Sequence, residues 1–195
     1  MVLPLLQSAK CQGNSFDRYL QHKGQKPIMN NYNRFTITLK NNCSIGFSKD
    51  DTLQYTNLIT KDTIYPLISE EIGSGLKSLG GLFADFDSSF IWGIAMGDNI
   101  YGKIYQKFRP ANVSGEFILI SIYKNANQQY ALMADPNYDV SVKKFFIYTG
   151  KKLKKYSLNN GIHSSRIKYL QIASLGHDKP KLIDSKTKIV YWLKP

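Results

Sequence analysis

Tyr130-Ala-Leu-Met-Ala-Asp-Pro-Asn-Tyr-Asp139 runs from an apolar strand into a turn. Its first five residues are apolar, and Asp135-Pro136-Asn137 then sets three turn formers side by side. Upstream stands Glu116-Phe-Ile-Leu-Ile-Ser-Ile-Tyr123, an apolar run rich in β-branched residues. Downstream, Lys144-Phe-Phe-Ile-Tyr148 is again aromatic and aliphatic. The pattern is strand, strand, turn, strand, with connections too short for crossover helices.

The same punctuation runs outward in both directions. Arg34-Phe-Thr-Ile-Thr-Leu-Lys40 alternates with period two, Asn41-Asn42 is a turn signal, and Cys43-Ser-Ile-Gly-Phe47 returns as the second arm of a hairpin. Leu53 to Ile59 and Thr63 to Ile68 form another strand pair, with Pro66 restricting the second to an edge or a strand end. Ser69 to Gly81 reads as a loop or as a short helix capped by Ser69. Ser89 to Met96, Asn99 to Phe108, Glu116 to Tyr123, Gln129 to Met133 and Lys144 to Tyr148 follow as strands. Lys151-Lys-Leu-Lys-Lys155 is either an edge guarded by lysines or an anion-binding patch. From Ser164 to Leu175, the spacing of Ile167 and Leu170 predicts an amphipathic helix stopped by Gly176, while Gln171 and Ile172 leave a strand as the alternative. Lys188-Ile-Val-Tyr-Trp-Leu193 is the last strand. The expected fold is one mainly β domain: an irregular arm over 1–33, then an antiparallel up-and-down barrel over 34–195 with one packed C-terminal helix near 164–175.

From Lys103 to Tyr148, the strings GEFILISIY, YALMADPNYD and FFIYTGK resemble the late strands of bacterial-type lipocalins, members of the calycins. The early Gly-x-Trp of that family is absent, and Lys23-Gly-Gln-Lys26 stands near its place. The resemblance implies an eight-stranded calyx around a small hydrophobic or anionic amphiphilic ligand, no enzymatic activity, and a secreted or periplasmic location. On one register Phe90, Trp92, Phe117, Leu119 and Tyr148 face inward as the ligand-binding set. The alternative is that these side chains simply fill a solid core.

Composition narrows the partners. Lys and Arg outnumber Asp and Glu by 26 to 14, a net charge of +12 that favours nucleic acid, anionic surfaces or an anionic ligand. Cys11 and Cys43 are the two cysteines and permit one disulfide or two free thiols. His22, His163 and His177 show no metal-binding spacing, and no cofactor motif is present, so neither metal nor cofactor is expected. No apolar run is long enough to span a bilayer, and a monomer or dimer is expected. His177, Lys179 and Asp184 fit the H-x-K-x-x-x-x-D spacing and so resemble phospholipase D and its related nucleases. That resemblance implies a phosphodiesterase, or a basic nucleic-acid-acting toxin, with His177 as nucleophile, Lys179 on the phosphate and Asp184 orienting a histidine. Pro180 inside the motif, and Tyr191-Trp192 in place of the small residues after it, depart from that pattern.

Overall fold

The computed structural model describes residues 28–30, 34–49, 53–60, 64–71, 80–109, 114–125, 128–175 and 179–195. Cys11, His22, His177, the N-terminal arm before Ile28 and the Gly-rich stretch 72–79 lie outside the described residues. The chain divides into two compact units, Met1–Ala95 with Tyr105–Val113, and Met96–Ile104 with Ser114–Pro195.

The first unit holds a five-stranded antiparallel meander of β1 (Ile28–Asn30), β2 (Arg34–Thr38), β3 (Ser44–Lys49), β4 (Leu53–Ile59) and β5 (Ile64–Glu71). It also holds the antiparallel pair of β6 (Gly81–Asp85) and β7 (Ser89–Met96). The β2–β3 hairpin turns where the sequence places it, with Asn41 and Asn42 both in the left-handed region at φ of 61° and 56°. Pro66 falls on an outer strand beside a register shift, the kind of position where a missing ladder donor is tolerated. The short helix read at Ser69 is not formed, because Ser69 to Glu71 continue β5 in pairing with Leu53 to Tyr55. Ile37, Leu39, Cys43, Ile45, Leu58, Leu82, Phe90, Trp92 and Tyr105 make the core, with the Phe90 and Tyr105 rings stacked at 5.3 Å.

One buried cation ties this unit together. Lys107 is 0% exposed. Its Nζ donates to the carbonyls of Lys40 at 2.9 Å and Phe86 at 2.7 Å, and pairs with Asp85 Oδ1 at 2.7 Å. Asp85 Oδ2 accepts from the Lys40 N–H at 2.8 Å, and Asn41 Nδ2 donates to the Asp87 carbonyl at 2.8 Å. The tip of the β2–β3 hairpin is thus fastened to the β6–β7 turn by one ammonium and one carboxylate. Cys43 is a free thiol in the core beneath that turn; burial raises its pKa, Lys107 opposes the rise, and Asp85 adds to it.

The second unit pairs β8 (Asn99–Gln106), β9 (Phe117–Lys124), β10 (Gln129–Ala134), β11 (Ser141–Tyr148) and β12 (Leu153–His163) in chain order. A 3-10 turn, Ser164–Tyr169, leads into a three-stranded sheet of β13 (Leu170–Ser174), β14 (Lys181–Asp184) and β15 (Val190–Trp192). Ile118, Leu132, Ala134, Phe145 and Ile147 from the first set meet Ile167, Leu170, Ile172, Leu182 and Leu193 in one core. The Asp135-Pro136-Asn137 turn is built as read, with Asp135 Oδ1 accepting the Asn137 N–H at 2.9 Å.

Two expectations are corrected. No closed barrel forms among the described residues: no sheet's strand order returns to its first strand. β12 is such an edge; it carries Lys154 and Lys155 and takes only an isolated bridge, Ser157 to Lys194, beyond its β11 ladder. Charge on an edge resists the further pairing that closure needs. The packed C-terminal helix near 164–175 is also absent. Burial alternates over Leu170, Gln171, Ile172 and Ala173, and Leu170, Gln171, Ile172 and Ser174 pair with β14 instead. Only Ile167 is buried from the 3-10 turn. Among the described residues no helix is long and apolar enough to cross a membrane.

Truncating Lys107 removes one member of a buried ion pair and strands two carbonyls. Lys107→Ala therefore loses about 3–5 kcal/mol in urea unfolding, the cost of an uncompensated buried charge. The Lys40 side chain, in an exposed pair with Asp87 at 3.3 Å, is the control, and Lys40→Ala changes stability by about 0.5 kcal/mol or less.

Candidate anion-binding face

The three-stranded sheet has two different faces, and its register assigns every residue to one of them. Gln171 stands opposite Ile183, and Ile183 opposite Val190. Ser174 stands opposite Lys181, and Lys181 opposite Trp192. The interleaved residues Leu170, Ile172, Leu182 and Tyr191 turn into the core. This leaves an outer face of Gln171, Lys181, Ile183, Val190 and Trp192, with Ser174 opposite Lys181 across the bulge at Ala173 and Tyr169 ending the 3-10 turn just before β13.

Cations on this face are held against aromatic rings. Lys181 Nζ lies 4.0 Å from the centre of the Trp192 ring. Lys168 and Lys186 lie 5.7 Å and 5.5 Å from the centre of Tyr169. An aromatic face attracts an ammonium through its quadrupole and holds the side chain extended without cancelling its charge. Lys179, Lys186, Lys188 and Lys194 are exposed around the same sheet. Residues 164–195 contain seven Lys or Arg against two Asp. One of those two, Asp184, is buried and spoken for.

Asp184 organises the β14–β15 turn. Its Oδ1 accepts the N–H groups of Lys186 at 2.9 Å and Thr187 at 3.0 Å. Its Oδ2 accepts Arg166 Nε at 2.9 Å and Nη2 at 2.5 Å, and Arg166 Nη2 also reaches Thr187 Oγ1. Burial alone raises the carboxyl pKa, but the Thr187 N–H, Arg166 and the Lys186 N–H together hold it below its ordinary 3.8. The turn so fixed sets the register that places Lys181 on Trp192.

The residues singled out in the sequence are distributed otherwise. Of the set His177, Lys179 and Asp184, His177 lies outside the described residues, Lys179 is exposed, and the Asp184 carboxylate is occupied by Arg166 and the turn. Phe90 and Trp92 sit in the core of the first unit. Phe117, Leu119 and Tyr148 share the face of β9 to β11 that turns away from Ile118 and Leu132. There Leu119 stands opposite Met133, Phe117 packs edge-on against Phe146, and the Tyr148 hydroxyl donates to the Gly150 carbonyl at 2.9 Å. All five are at most 7% exposed. The Asp135 turn and the start of β11 border a surface cleft of about 470 Å³ whose lining mixes Asp135 and Asp139 with Lys143 and Lys144. Among the described residues no group of three or more His, Cys, Asp or Glu is arranged to hold a metal ion.

Sequence reading missed Trp192, Lys181 and Tyr169. The signal was the alternation of Lys181 with Leu182 and of Trp192 with Tyr191, which puts charge and indole on one side once the two strands are paired. Comparison of the chain with protein-family models, with curated proteins and with solved structures gives no match in any of the three.

The lowered pKa of Asp184 fixes a pH dependence. A depressed carboxyl stabilises the fold fully above the unfolded value near 3.8, and the stabilisation is lost as pH falls through the folded value. Asp184→Asn melts at a lower temperature than the parent at neutral pH, and thermal scans show the gap narrowing as pH falls below 3.8.

Proposed function

We propose that this protein is a non-catalytic binding module whose second unit presents the outer face of β13 to β15 to polyanions. The observation that carries the reading is the stacking of Lys181 on a half-exposed Trp192 at 4.0 Å, repeated in weaker form by Lys168 and Lys186 around Tyr169. Each ring pre-orders a long, flexible ammonium toward solvent, so less side-chain freedom is lost when an anion arrives. The groups recognised are phosphate, sulfate or carboxylate, because ammoniums offer point charges and no shape-specific fork.

Binding of this kind releases counterions. With about three lysine contacts, affinity for heparin falls roughly 10–100-fold between about 50 and 200 mM salt. The triple variant Lys181→Glu, Lys186→Glu, Lys188→Glu elutes from a heparin column at much lower salt than the parent, with an unchanged melting profile. Equal retention of variant and parent, or no retention of the parent at low salt, overturns the reading.

A second reading keeps the lipocalin-like calyx, with a small hydrophobic or anionic amphiphilic ligand and an extracytoplasmic location. It is favoured by the common face shared by Phe117, Leu119 and Tyr148. Isothermal titration calorimetry of the full chain with fatty acids and retinoids gives a saturable heat if that ligand site exists, and a flat response ends the calyx reading.

A further inference from the structure

We infer that the polyanion met by the β13–β15 face is the anionic surface of a lipid bilayer, an inference that rests on the polyanion reading above. Charge alone does not choose among polyanions; the apolar residues between the charges do. Ile189, Val190 and Trp192 are 47%, 45% and 53% exposed in a stretch of four residues. Val190 and Trp192 stand on the same face as Lys181, and Ile183 beside Val190 is half-buried. Exposed lysines flank the strand on both sides: Lys186 and Lys188 before it, Lys194 after it.

A nucleic acid satisfies the lysines with phosphates and offers base faces to Trp192, but its polar backbone and grooves offer far less apolar surface to the branched aliphatic side chains of Ile189 and Val190 than an acyl boundary does. A bilayer interface satisfies all three groups at once. Its phosphate headgroups pair with the lysines, an indole settles at headgroup depth, and aliphatic side chains leave water for the acyl boundary. The Lys181 ammonium over the Trp192 ring fits that depth as well, since a lysine beside an interfacial indole places its charge at the headgroups while its stem covers apolar surface. Each lysine near an anionic leaflet strengthens partitioning by about fivefold. The surface sheet holds no buried polar group on this side that must be re-paired when the face is covered. The Asp184 carboxylate lies on the other face and is already neutralised.

The test uses the full chain in vesicle co-sedimentation, with vesicles of phosphatidylcholine alone, vesicles of phosphatidylcholine with phosphatidylglycerol, and heparin and oligothymidylate as soluble competitors. Sedimentation with the anionic vesicles and not with the neutral ones is expected, with a blue shift of the tryptophan emission that Trp192→Phe removes. The double variant Ile189→Ser, Val190→Ser is expected to lose about tenfold or more in vesicle binding while retaining heparin binding and a parental circular-dichroism melt. Parental binding of that variant to anionic vesicles overturns the lipid inference. Retention on heparin or oligothymidylate without vesicle binding by the parent also overturns it, and leaves the polyanion reading standing. Failure to bind any of the three defeats both.

Discussion

A lysine removed from water needs a partner for each of its three protons, and the first unit is arranged around that constraint. Lys107 is wholly buried, and its ammonium is met by two backbone carbonyls and one carboxylate. Those acceptors come from the β2–β3 turn and from the segment joining β6 to β7, elements far apart in the chain. Lys40, just before the Asn41-Asn42 turn, meets both ends of the same ion pair, its N–H donating to Asp85 and its carbonyl accepting from Lys107. Core packing of Ile37, Leu39, Ile45, Phe90 and Trp92 supplies the general driving force. The ion pair supplies the position, because an unmatched charge in that place costs more than any one hydrophobic contact returns.

The second unit solves the opposite problem. Asp184 is buried and saturated by Arg166 and two turn N–H groups, which leaves the neighbouring lysines without a carboxylate of their own sheet to neutralise them. The one acidic contact among the described residues at this face is the exposed pair of Lys168 and Asp98, at 3.4 Å. At Lys181 and Lys186 rings take the place of carboxylates as the supports of the side chains. A cation resting on an indole keeps its full charge for an incoming anion, whereas a cation in a salt bridge has to break one first. Structure at the turn therefore bears directly on the charge of the face: the carboxylate that caps the turn is the same one withheld from the lysines.

Much of the secondary structure was legible because strand alternation and turn chemistry are local. Asn41-Asn42, the Asp135-Pro136-Asn137 turn and the strands from Ser89 to Tyr148 all follow from neighbours along the chain. Barrel closure was not legible, since it depends on which edges meet, and the lysines of β12 that oppose further pairing look the same whether an edge is free or covered. The segment 164–175 misled because Ile167 and Leu170 are spaced equally well for a helix and for a 3-10 turn running into a strand. Ile172 and a distant partner, Lys181–Asp184, decide it. Asp184 was noticed for its spacing from His177 and Lys179, yet its geometry is that of a turn cap with an arginine partner. Lys181 and Trp192 were visible as residues, but their stack depends on a register that only the folded turn fixes.

Hydrogen–deuterium exchange of the full chain with and without heparin reads out directly whether anions are met on one face of the second unit. Slowed exchange is expected in Ser164–Ser174 and Lys181–Pro195, with the β2–β3 hairpin and the Lys107 region unchanged. Protection centred on β2 to β5, or on the Asp135 to Lys144 cleft, with β13 to β15 unaffected, is incompatible with anion binding at that face.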